Sequence, residues 1–243
     1  MIRRVLTRGA MAIAALVGVE ALYAVLRPSP KQEEFDPSRV RGNPDHPHLR
    51  IAVLGDSTVT APGVAGPDDI WVSRVADQLA ETHRVELKSW ALGGSMAHDL
   101  IADQLGPALE FAPDLVLLSV GANDAIKGVA VRKFQANLDQ LVEAFVAIGA
   151  VVIQSGVGDL GTIPRLKPPL RNLLSRRALR FNAAHEAVAE KHGSWVVPQR
   201  DGPLDVWYED RDLWSADLFH VSSGGHQIWA DNAWSTVRQA LNL

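Results

Sequence analysis

The sequence of 243 residues predicts an α/β fold, in which a parallel sheet of five strands lies between two layers of helices. Short apolar runs, typical of buried strands, alternate along the chain with longer segments that carry apolar residues at helical spacing. Turns that contain glycine follow the strands, and parallel strands bring such turns to one edge of the sheet. Residues 50–243 carry this pattern, and about 200 residues are enough for one well-packed domain.

Five strands are predicted from the apolar runs. They are Arg50–Leu54, Val85–Trp90, Leu115–Val120, Ala150–Gln154 and Trp195–Val197. Five helices are predicted from the segments that follow the strands. They are Ile70–Thr82, Ala97–Glu110, Val131–Ile148, Leu170–Lys191 and Ser222–Leu241. Since each strand is followed by a helix, the sheet is expected to be parallel and to carry helices on both faces.

The first 26 residues predict a signal-anchor helix or a cleaved signal peptide. Arginines precede an apolar segment, residues 9–26, that is interrupted only by Glu20. Arginines on the N-terminal side favour a cytoplasmic N-terminus, so the domain is expected to be membrane-anchored and facing outward, or exported. Glu20 favours the alternative of an amphipathic or disordered leader on a cytoplasmic protein, because a carboxylate is costly inside a bilayer.

The segment between this leader and the domain, residues 27–49, is rich in proline and charge. It predicts an exposed linker. The net charge of the chain, −4, gives no indication of a nucleic-acid partner. The chain contains no cysteine, which excludes disulfides and thiolate metal sites.

A candidate nucleophile follows the first predicted strand. The strand leads into Gly55-Asp56-Ser57, where glycine allows a sharp turn of the chain. Ser57 then lies just past the carboxyl end of the strand, where open α/β sheets bind their ligands. A serine at this position can act as a nucleophile if a base and an oxyanion hole come from elsewhere in the chain. The alternative is a turn in which the serine caps a helix.

Three further stretches are expected near the same edge of the sheet. They are Leu92-Gly93-Gly94-Ser95, Gly121-Ala122-Asn123-Asp124 and Asp217-Leu218-Phe219-His220. With Gly55-Asp56-Ser57 they resemble, in order, the four sequence blocks of the SGNH (GDSL-type) hydrolase family, which is named for its Ser, Gly, Asn and His. The resemblance covers residues 50 to about 240 and implies a flavodoxin-like three-layer α/β/α sandwich, the SGNH hydrolase fold.

The second block departs slightly from the family pattern. It often begins with Asn, and this chain has Ser89 at that place. The block's own glycine is Gly93 or Gly94. Gly94 is favoured because the pattern usually has a small residue before the glycine.

A serine hydroxyl needs a base to take its proton, and His220 is the candidate. Asp217 lies three residues before it in a stretch that is not predicted helical, where it can fix the tautomer of the imidazole and stabilise the imidazolium. The resemblance implies that the oxyanion is held by the backbone N–H groups of Ser57 and Gly94 and by the side-chain amide of Asn123. This chemistry requires no metal and no organic cofactor.

Other polar residues near these blocks are expected to have structural roles. Asp56 and Asp124 are expected to accept hydrogen bonds that organise their loops. His226 lies inside the last predicted helix and has no carboxylate three residues before it. Ser95 lies in a partial G-x-S-x-G pattern that lacks the last glycine, which disfavours it as a nucleophile.

A long loop, residues 156–169, is expected to overhang the site. Its first six residues match G-x-G-x-x-G, but prolines follow where a dinucleotide site would open a helix, so such a site is disfavoured. Six basic residues in the loop and the next helix predict a solvated basic face or a contact with an anionic lipid surface or acidic substrate. They are Arg165, Lys167, Arg171, Arg176, Arg177 and Arg180.

Trp207, Tyr208 and Trp214 precede the Asp-His block. They are expected either to wall an acyl pocket or to pack in the core.

The sequence therefore predicts a serine ester hydrolase of the esterase or lipase type, which acts on a small-molecule or lipid ester through an acyl-enzyme on Ser57. One alternative is a carbohydrate O-acetyl esterase or acyltransferase that uses the same site. The other is a binding module on a hydrolase fold, since fold does not fix function. The intact set of Ser57, Asp217 and His220 argues against a binding module. Residues 9–26 are expected to provide membrane association.

Overall fold

The computed structural model describes residues 15–20, 22–23, 26–198 and 204–243. Much of the predicted leader therefore lies outside the described residues. Residues 15–20 of it are helical. Within the described part of the chain, no helix is both long enough and apolar enough to cross a membrane.

The sheet has six strands, one more than the sequence predicts. They are β1 (Arg39–Arg41), β2 (His48–Gly55), β3 (Arg84–Ser89), β4 (Leu115–Ser119), β5 (Val151–Gln154) and β6 (Trp195–Val196). Their order across the sheet is β1-β3-β2-β4-β5-β6. Strands β2 to β6 are parallel and correspond to the five predicted strands, and their order is that of a flavodoxin-like sheet.

Strand β1 corrects the prediction of a purely parallel, five-stranded sheet. It pairs antiparallel with β3, with Val40 opposite Glu86. It also lies within residues 27–49, where the sequence predicts an exposed linker. The apolar pattern of the sequence does not indicate this strand, because the strand is short, polar and at the edge of the sheet. Its stability depends on a partner distant in the sequence rather than on its own apolar residues.

The helices follow the strands as expected, with additional short turns at the edge of the sheet. They are α1 (Ser57–Thr60), α2 (Trp71–Leu79), α3 (Ala97–Asp99), α4 (Leu105–Glu110), α5 (Ala122–Ile126), α6 (Val131–Ala147), α7 (Leu170–His192), α8 (Leu204–Glu209) and α9 (Ser223–Leu241). A π-helical segment, Leu100–Gln104, joins α3 to α4. The single helix predicted over residues 97–110 is therefore continuous but contains a π-bulge.

Two hydrophobic cores cover the two faces of the sheet. Alternate residues of β2 point to opposite faces, as strand geometry requires. Ala52 and Leu54 contribute to the core beneath α6 and α7, which includes Phe134. Ile51 and Val53 contribute to the core beneath α2 and α9. The molecule is thus a three-layer α/β/α sandwich, as predicted.

The two central strands place the site. In the order above, β2 and β4 are the neighbours from which the chain proceeds in opposite directions, and open α/β sheets bind ligands at such a switch point. Gly55 ends β2 directly opposite Ser119 of β4. A Cβ at Gly55 would lie 2.7 Å from the carbonyl oxygen of Ser119, so glycine permits this close approach. The close pairing, rather than the sharp turn expected from the sequence, explains this glycine.

Candidate active site

Ser57 is the first residue of α1, and only Asp56 separates it from the end of β2. The preceding residue, Asp56, is almost fully buried. Its Oδ1 accepts a hydrogen bond of 2.9 Å from the backbone N–H of Thr58, which caps the helix. Its Oδ2 accepts a hydrogen bond of 2.9 Å from the side-chain amide of Asn123. Burial raises the pKa of Asp56, and these hydrogen bonds oppose that effect. Asp56 therefore joins the first block to the third.

Asp217 and His220 form a close pair. His220 Nδ1 lies 2.6 Å from Asp217 Oδ2. Between them Leu218 adopts a left-handed backbone conformation, with φ at 60°, which turns the chain so that the two side chains face each other. Asp217 Oδ1 accepts hydrogen bonds from the Ser215 hydroxyl and from the backbone N–H groups of Phe219 and His220. The carboxylate is thus held in one orientation.

The charge of Asp217 is stabilised by these contacts. Burial alone would raise the pKa of its carboxyl. The hydrogen bonds from His220, Ser215 and Phe219 outweigh burial and hold the pKa of Asp217 well below its usual range. Asp217 is therefore ionised at neutral pH, as a partner that orients an imidazole must be.

Ser57, Asn123 and His220 line one cavity of about 170 Å³. The structure thus brings together side chains that are separated by up to 163 positions in the sequence. Within the described residues, no hydrogen bond links Ser57 to His220. What the two residues share is the wall of this cavity.

Gly94 lies beside Asn123, although it does not line the cavity. Asn123 Nδ2 donates a hydrogen bond of 3.1 Å to the carbonyl of Ser95, the next residue after Gly94. Gly94 has a φ of +79°, a conformation that favours glycine. Its own carbonyl accepts a hydrogen bond from Lys127. The second and third blocks are therefore adjacent, as the resemblance implies.

The oxyanion donors named from the sequence differ in whether they already have a hydrogen-bond acceptor. Among the described residues, the backbone N–H groups of Ser57 and Gly94 have no acceptor. Both hydrogens of the Asn123 amide, by contrast, are directed at Asp56 Oδ2 and at the carbonyl of Ser95. Asn123 must share or release one of these bonds in order to donate to a ligand.

Asp124 has the structural role expected of it. It is fully buried, and its Oδ2 accepts a hydrogen bond of 3.0 Å from the backbone N–H of Ala97 at the start of α3. Burial raises its pKa. Asp124 therefore fixes the start of this helix rather than facing the cavity.

The walls of the cavity are mainly apolar and aromatic. Trp207 and Trp214 line it, together with Trp71 and Trp229. The rings of Trp207 and Trp214 meet edge to face at 5.8 Å. Of the aromatic residues named from the sequence, Tyr208 does not line this cavity. Its hydroxyl donates to Asp159 instead.

A row of hydroxyl groups forms one polar strip of the wall. Thr58 Oγ1 lies 2.6 Å from Ser119 Oγ, and the Ser155 hydroxyl donates to Ser119 over 2.8 Å. All three residues line the cavity beside Ser57. They follow or end β2, β4 and β5, so the same edge of the sheet supplies them.

The long loop, residues 156–169, overhangs the cavity as predicted. Gly156, Val157 and Leu160 line the cavity. A short 3-10 turn, Leu160–Thr162, overlaps the end of the glycine-rich pattern, and the next helix begins only at Leu170. The segment therefore lacks the helix N-terminus on which a dinucleotide site depends.

Arg165 has a role that the sequence pattern does not reveal. It is buried, not part of a solvated basic face. Its Nη1 donates a hydrogen bond of 3.1 Å to the carbonyl of Asp217, and its backbone N–H donates to the carbonyl of Leu218. Its Nη2 donates to the carbonyl of Arg27. Arg165 therefore ties the overhanging loop to the turn that carries Asp217 and His220.

The other basic residues divide into two groups. Arg171 donates to the carbonyl of Gly161, and Arg177 donates to the carbonyls of Ala125 and Val129. The hydrogen bonds of Arg171 and Arg177 thus tie α7 to the segments around residues 161 and 125–129. Lys167, Arg176 and Arg180 are exposed, so only these three residues can form the solvated basic face or the anionic contact that the sequence predicts.

Gln104 is a second residue that sequence reasoning missed. It is fully buried in the π-helical segment. Its Oε1 accepts a hydrogen bond from the backbone N–H of Gly55, and its Nε2 donates to the carbonyl of Gly55, each over 2.9 Å. The only sequence signal is a polar residue on the apolar side of a predicted helix.

The comparison with known proteins decides the family. The GDSL-like lipase/acylhydrolase family model matches residues 53–228. The chain belongs to this family. The match begins in β2 and ends in α9, so it includes all four blocks.

Other GDSL-like proteins are similar over most of the chain. The GDSL-like esterase Rv1075c of Mycobacterium tuberculosis is 27% identical over an alignment of 201 residues, which covers 79% of this chain and 63% of that protein. The chain thus spans less than two thirds of that relative. Esterase TesA of Pseudomonas aeruginosa is 28% identical over an alignment of 199 residues, which covers 79% of this chain and 89% of that protein.

The fold agrees with a solved structure. The crystal structure of TesA matches with a TM-score of 0.65 and 26% identity, and the match covers 79% of this chain and 99% of that one. The SGNH fold expected from the four blocks is thereby confirmed.

Proposed function

We propose that this GDSL-like protein is a serine ester hydrolase in which Ser57 is the nucleophile, His220 the base and Asp217 the residue that orients the base. The observation that carries the proposal is the 2.6 Å contact between His220 and an ionised Asp217 on the cavity that Ser57 lines. Carboxylate, imidazole and hydroxyl are the groups from which a serine nucleophile is built. The names of the two esterase relatives agree with this assignment.

Acylation of the enzyme is the first step. Ser57 Oγ attacks the ester carbonyl, and its proton passes to His220 Nε2. Asp217 accepts the hydrogen on His220 Nδ1, which fixes the tautomer and stabilises the imidazolium. The C–O bond then breaks, and His220 gives the proton to the departing alcohol.

The oxyanion of each tetrahedral intermediate is held by three donors. Two are the backbone N–H groups of Ser57 and Gly94, which are free of other acceptors in the described structure. The third is the Asn123 amide, which Asp56 and the carbonyl of Ser95 hold in place. The two backbone donors stabilise the transition state because they do not need to reorient as charge develops, whereas Asn123 shares or releases one of its present hydrogen bonds.

Hydrolysis of the acyl-enzyme completes the cycle. His220 takes a proton from a water molecule, which attacks the ester carbonyl on Ser57. The same donors hold the second oxyanion, and Ser57 leaves with the proton from His220. The cycle requires only groups of this chain and water.

Substitution of the two reacting residues tests the proposal. Ser57→Ala and His220→Ala should each lower kcat/KM for a p-nitrophenyl ester by at least about a thousandfold, because each removes a group that acts in the transition state. The matched controls are Ser235→Ala and His98→Ala, which change exposed residues outside the cavity. Wild-type turnover in either active-site variant would rule out the assignment.

The carbohydrate O-acetyl esterase or acyltransferase alternative uses the same residues and differs in the acyl group. A cavity with four tryptophans in its wall favours a larger acyl group than acetyl. A series of p-nitrophenyl esters from acetate to decanoate should therefore give its highest kcat/KM beyond acetate. A maximum at acetate would favour the alternative.

The binding-module alternative predicts an inert serine. A fluorophosphonate probe should label Ser57 in the wild type but not in Ser57→Ala. Absence of labelling in the folded wild type would favour a binding role.

We propose in addition that residues 9–26 direct the chain to a membrane, with the catalytic domain facing outward or exported. The support is the arginine-rich start followed by an apolar segment in the sequence. Fractionation of cells that express the full chain, with protease added from outside, tests this placement. Recovery in the soluble cytoplasmic fraction would contradict it.

A further inference from the structure

His226 on α9 is a buried polar residue that the proposed chemistry does not use. Its side chain belongs to the wall of the cavity, yet the residue is only 1% exposed. Its Nδ1 accepts a hydrogen bond of 3.3 Å from the backbone N–H of Trp71, the first residue of α2. Since Nδ1 holds a lone pair, the proton of the neutral ring must be on Nε2.

The surroundings keep this ring neutral. Burial lowers the pKa of His226 to about 3, and the charges of Arg74 and His220 contribute to the effect. At neutral pH His226 is therefore a fixed N–H donor and cannot serve as a second base.

The Nε2–H group of His226 has no hydrogen-bond acceptor among the described residues, yet it is not one of the unpartnered polar atoms that are fully shielded from solvent. Because the residue lines the cavity and is otherwise buried, the cavity is the space that this atom reaches. The ring of Trp229 contacts the imidazole there, and the charge of His220 acts on it.

A second polar side chain lies on the same helix. Asn232 also lines the cavity, about one and two-thirds turns further along α9, and its amide makes no hydrogen bond within the described structure. Trp229 lies between them in sequence and contacts His226 at 4.9 Å between ring centroids. Asn232 is half-buried, whereas His226 is almost fully buried, so the His226 donor is the group whose partner must come from the contents of the cavity.

We propose that His226 and Asn232 form a polar subsite, which binds an oxygen atom in the chain of the ester substrate. The ligand is an ester whose acyl or alcohol part carries an ether, hydroxyl or carbonyl oxygen. This oxygen is placed along the chain so that it reaches α9 when the ester carbonyl lies at Ser57. A plain alkyl chain would leave the His226 donor unpaired, so the subsite selects against it. This inference rests on the proposed function of the same cavity.

An oxygen scan of the substrate tests the subsite. The substrates are p-nitrophenyl hexanoate and matched esters in which an ether oxygen replaces one methylene at each position in turn. A second arm uses acetate esters of hexanol and of the corresponding ether alcohols, which separates an acyl subsite from an alcohol subsite. The wild type should prefer at least one oxygen-containing ester over its all-carbon analogue by about tenfold in kcat/KM.

The matched variant is His226→Asn. The Asn side-chain oxygen can still accept the Trp71 N–H, and its NH2 group then lies at the place of the ring Cδ2, so the donor at the Nε2 position is lost. The preference ratio should fall to about one in this variant and by a smaller factor in Asn232→Leu. His98→Asn, which changes an exposed histidine, should keep the wild-type ratio.

The outcomes separate the two proposals. Hydrolysis of hexanoate with no preference at any position would overturn the subsite and leave the hydrolase intact. A preference that survives in His226→Asn would also overturn it. Failure of the wild type to hydrolyse every ester would overturn the hydrolase and the subsite together. If His226→Asn does not fold, the wild-type scan and Asn232→Leu still decide.

Discussion

At the scale of single residues, the arginine that holds the Asp-His turn is the least expected part of the site. Arg165 is bonded to the carbonyl of Asp217, and its backbone N–H is bonded to the carbonyl of Leu218. Leu218 has a left-handed conformation that L side chains rarely adopt. Contacts from outside the turn therefore help to maintain a geometry on which the Asp217–His220 contact depends.

Arg165→Met keeps much of the buried side-chain volume but removes the side-chain hydrogen bond to the carbonyl of Asp217, while the backbone bond to Leu218 remains. It should lower kcat by about ten- to a hundredfold with little change in KM, because a base that is misplaced by a fraction of an ångström affects the reacting atoms more than substrate binding. Steady-state kinetics with a p-nitrophenyl ester measures this separation. The control is Arg176→Met, an exposed arginine of the same basic stretch. Equal losses in the two variants, or a loss confined to KM, would contradict a positioning role.

The orientation of the Asn123 side chain depends on another buried residue. Its amide is oriented by Asp56, a buried carboxylate that also caps α1. One side chain thus sets the direction of a proposed oxyanion donor and the start of the helix that carries the proposed nucleophile. The Gly-Asp-Ser stretch therefore supplies the proposed nucleophile and also, through Asp56, the hydrogen bonds that organise the residues around it.

At the scale of elements, the π-helical segment between α3 and α4 matters because it carries Gln104. The Gln104 amide pairs with both backbone polar groups of Gly55, at the end of β2. It acts there as a neighbouring strand would, since it supplies one acceptor and one donor. The last residue of the strand before Asp56 and Ser57 is fixed by this pairing.

Gln104→Leu should be strongly destabilising. It leaves the buried N–H of Gly55 without a partner, at a cost of about 1–3 kcal/mol in the free energy of unfolding, whereas the Gly55 carbonyl still accepts a hydrogen bond from the backbone N–H of Leu92. For a chain of this size the midpoint of thermal unfolding should fall by roughly 4–10 °C. Calorimetry measures the shift. The control is Gln239→Leu on an exposed position of α9, which should remain within about 2 °C of the wild type. Similar shifts in both variants would contradict the role of Gln104.

The elements that could be predicted are those whose own residues carry the apolar pattern that stabilises them. The runs at β2 and β4 are continuous and apolar because both faces of these strands are buried, and the stripe that contains Phe134 reveals α6. Strand β1 could not be predicted, because Arg39-Val40-Arg41 gains its hydrogen bonds from β3, more than forty residues away. The roles of Arg165 and Gln104 were hidden for the same reason, since their partners are backbone atoms of segments distant in the sequence.

At the scale of the whole molecule, the sheet topology explains why four separated blocks form one site. The chain leaves β2 and β4 in opposite directions, which opens a crevice between α1, which contains Ser57, and α5, which contains Asn123. The segment before α9 closes this crevice and brings His220 to it. The order of the blocks was readable from the sequence, whereas the cavity, and the side of His226 that faces it, depend on how α9 packs against α2.

The stability of the whole chain in acid should depend on the Asp217–His220 pair. The pKa of Asp217 is lower in the folded chain than in the unfolded chain, where an aspartate has a pKa of about 3.9. Its ionised form therefore stabilises the fold above that value, and this stabilisation is lost as the pH falls through the folded pKa. Burial raises the pKa of Asp56 and Asp124, which acts in the opposite direction.

A comparison with Asp217→Asn isolates the contribution of Asp217, because Asp56 and Asp124 are present in both proteins and cancel in the difference. The wild type should be the more stable protein at pH 7. Its advantage should remain constant down to about pH 5 and shrink as the pH is lowered further through about 4 towards 2. Urea unfolding at fixed pH steps measures the difference in the free energy of unfolding. An advantage that stays constant to the lowest pH at which both proteins fold would mean that the fold does not lower the pKa of Asp217, and the orienting role proposed for its charge would lose its physical basis.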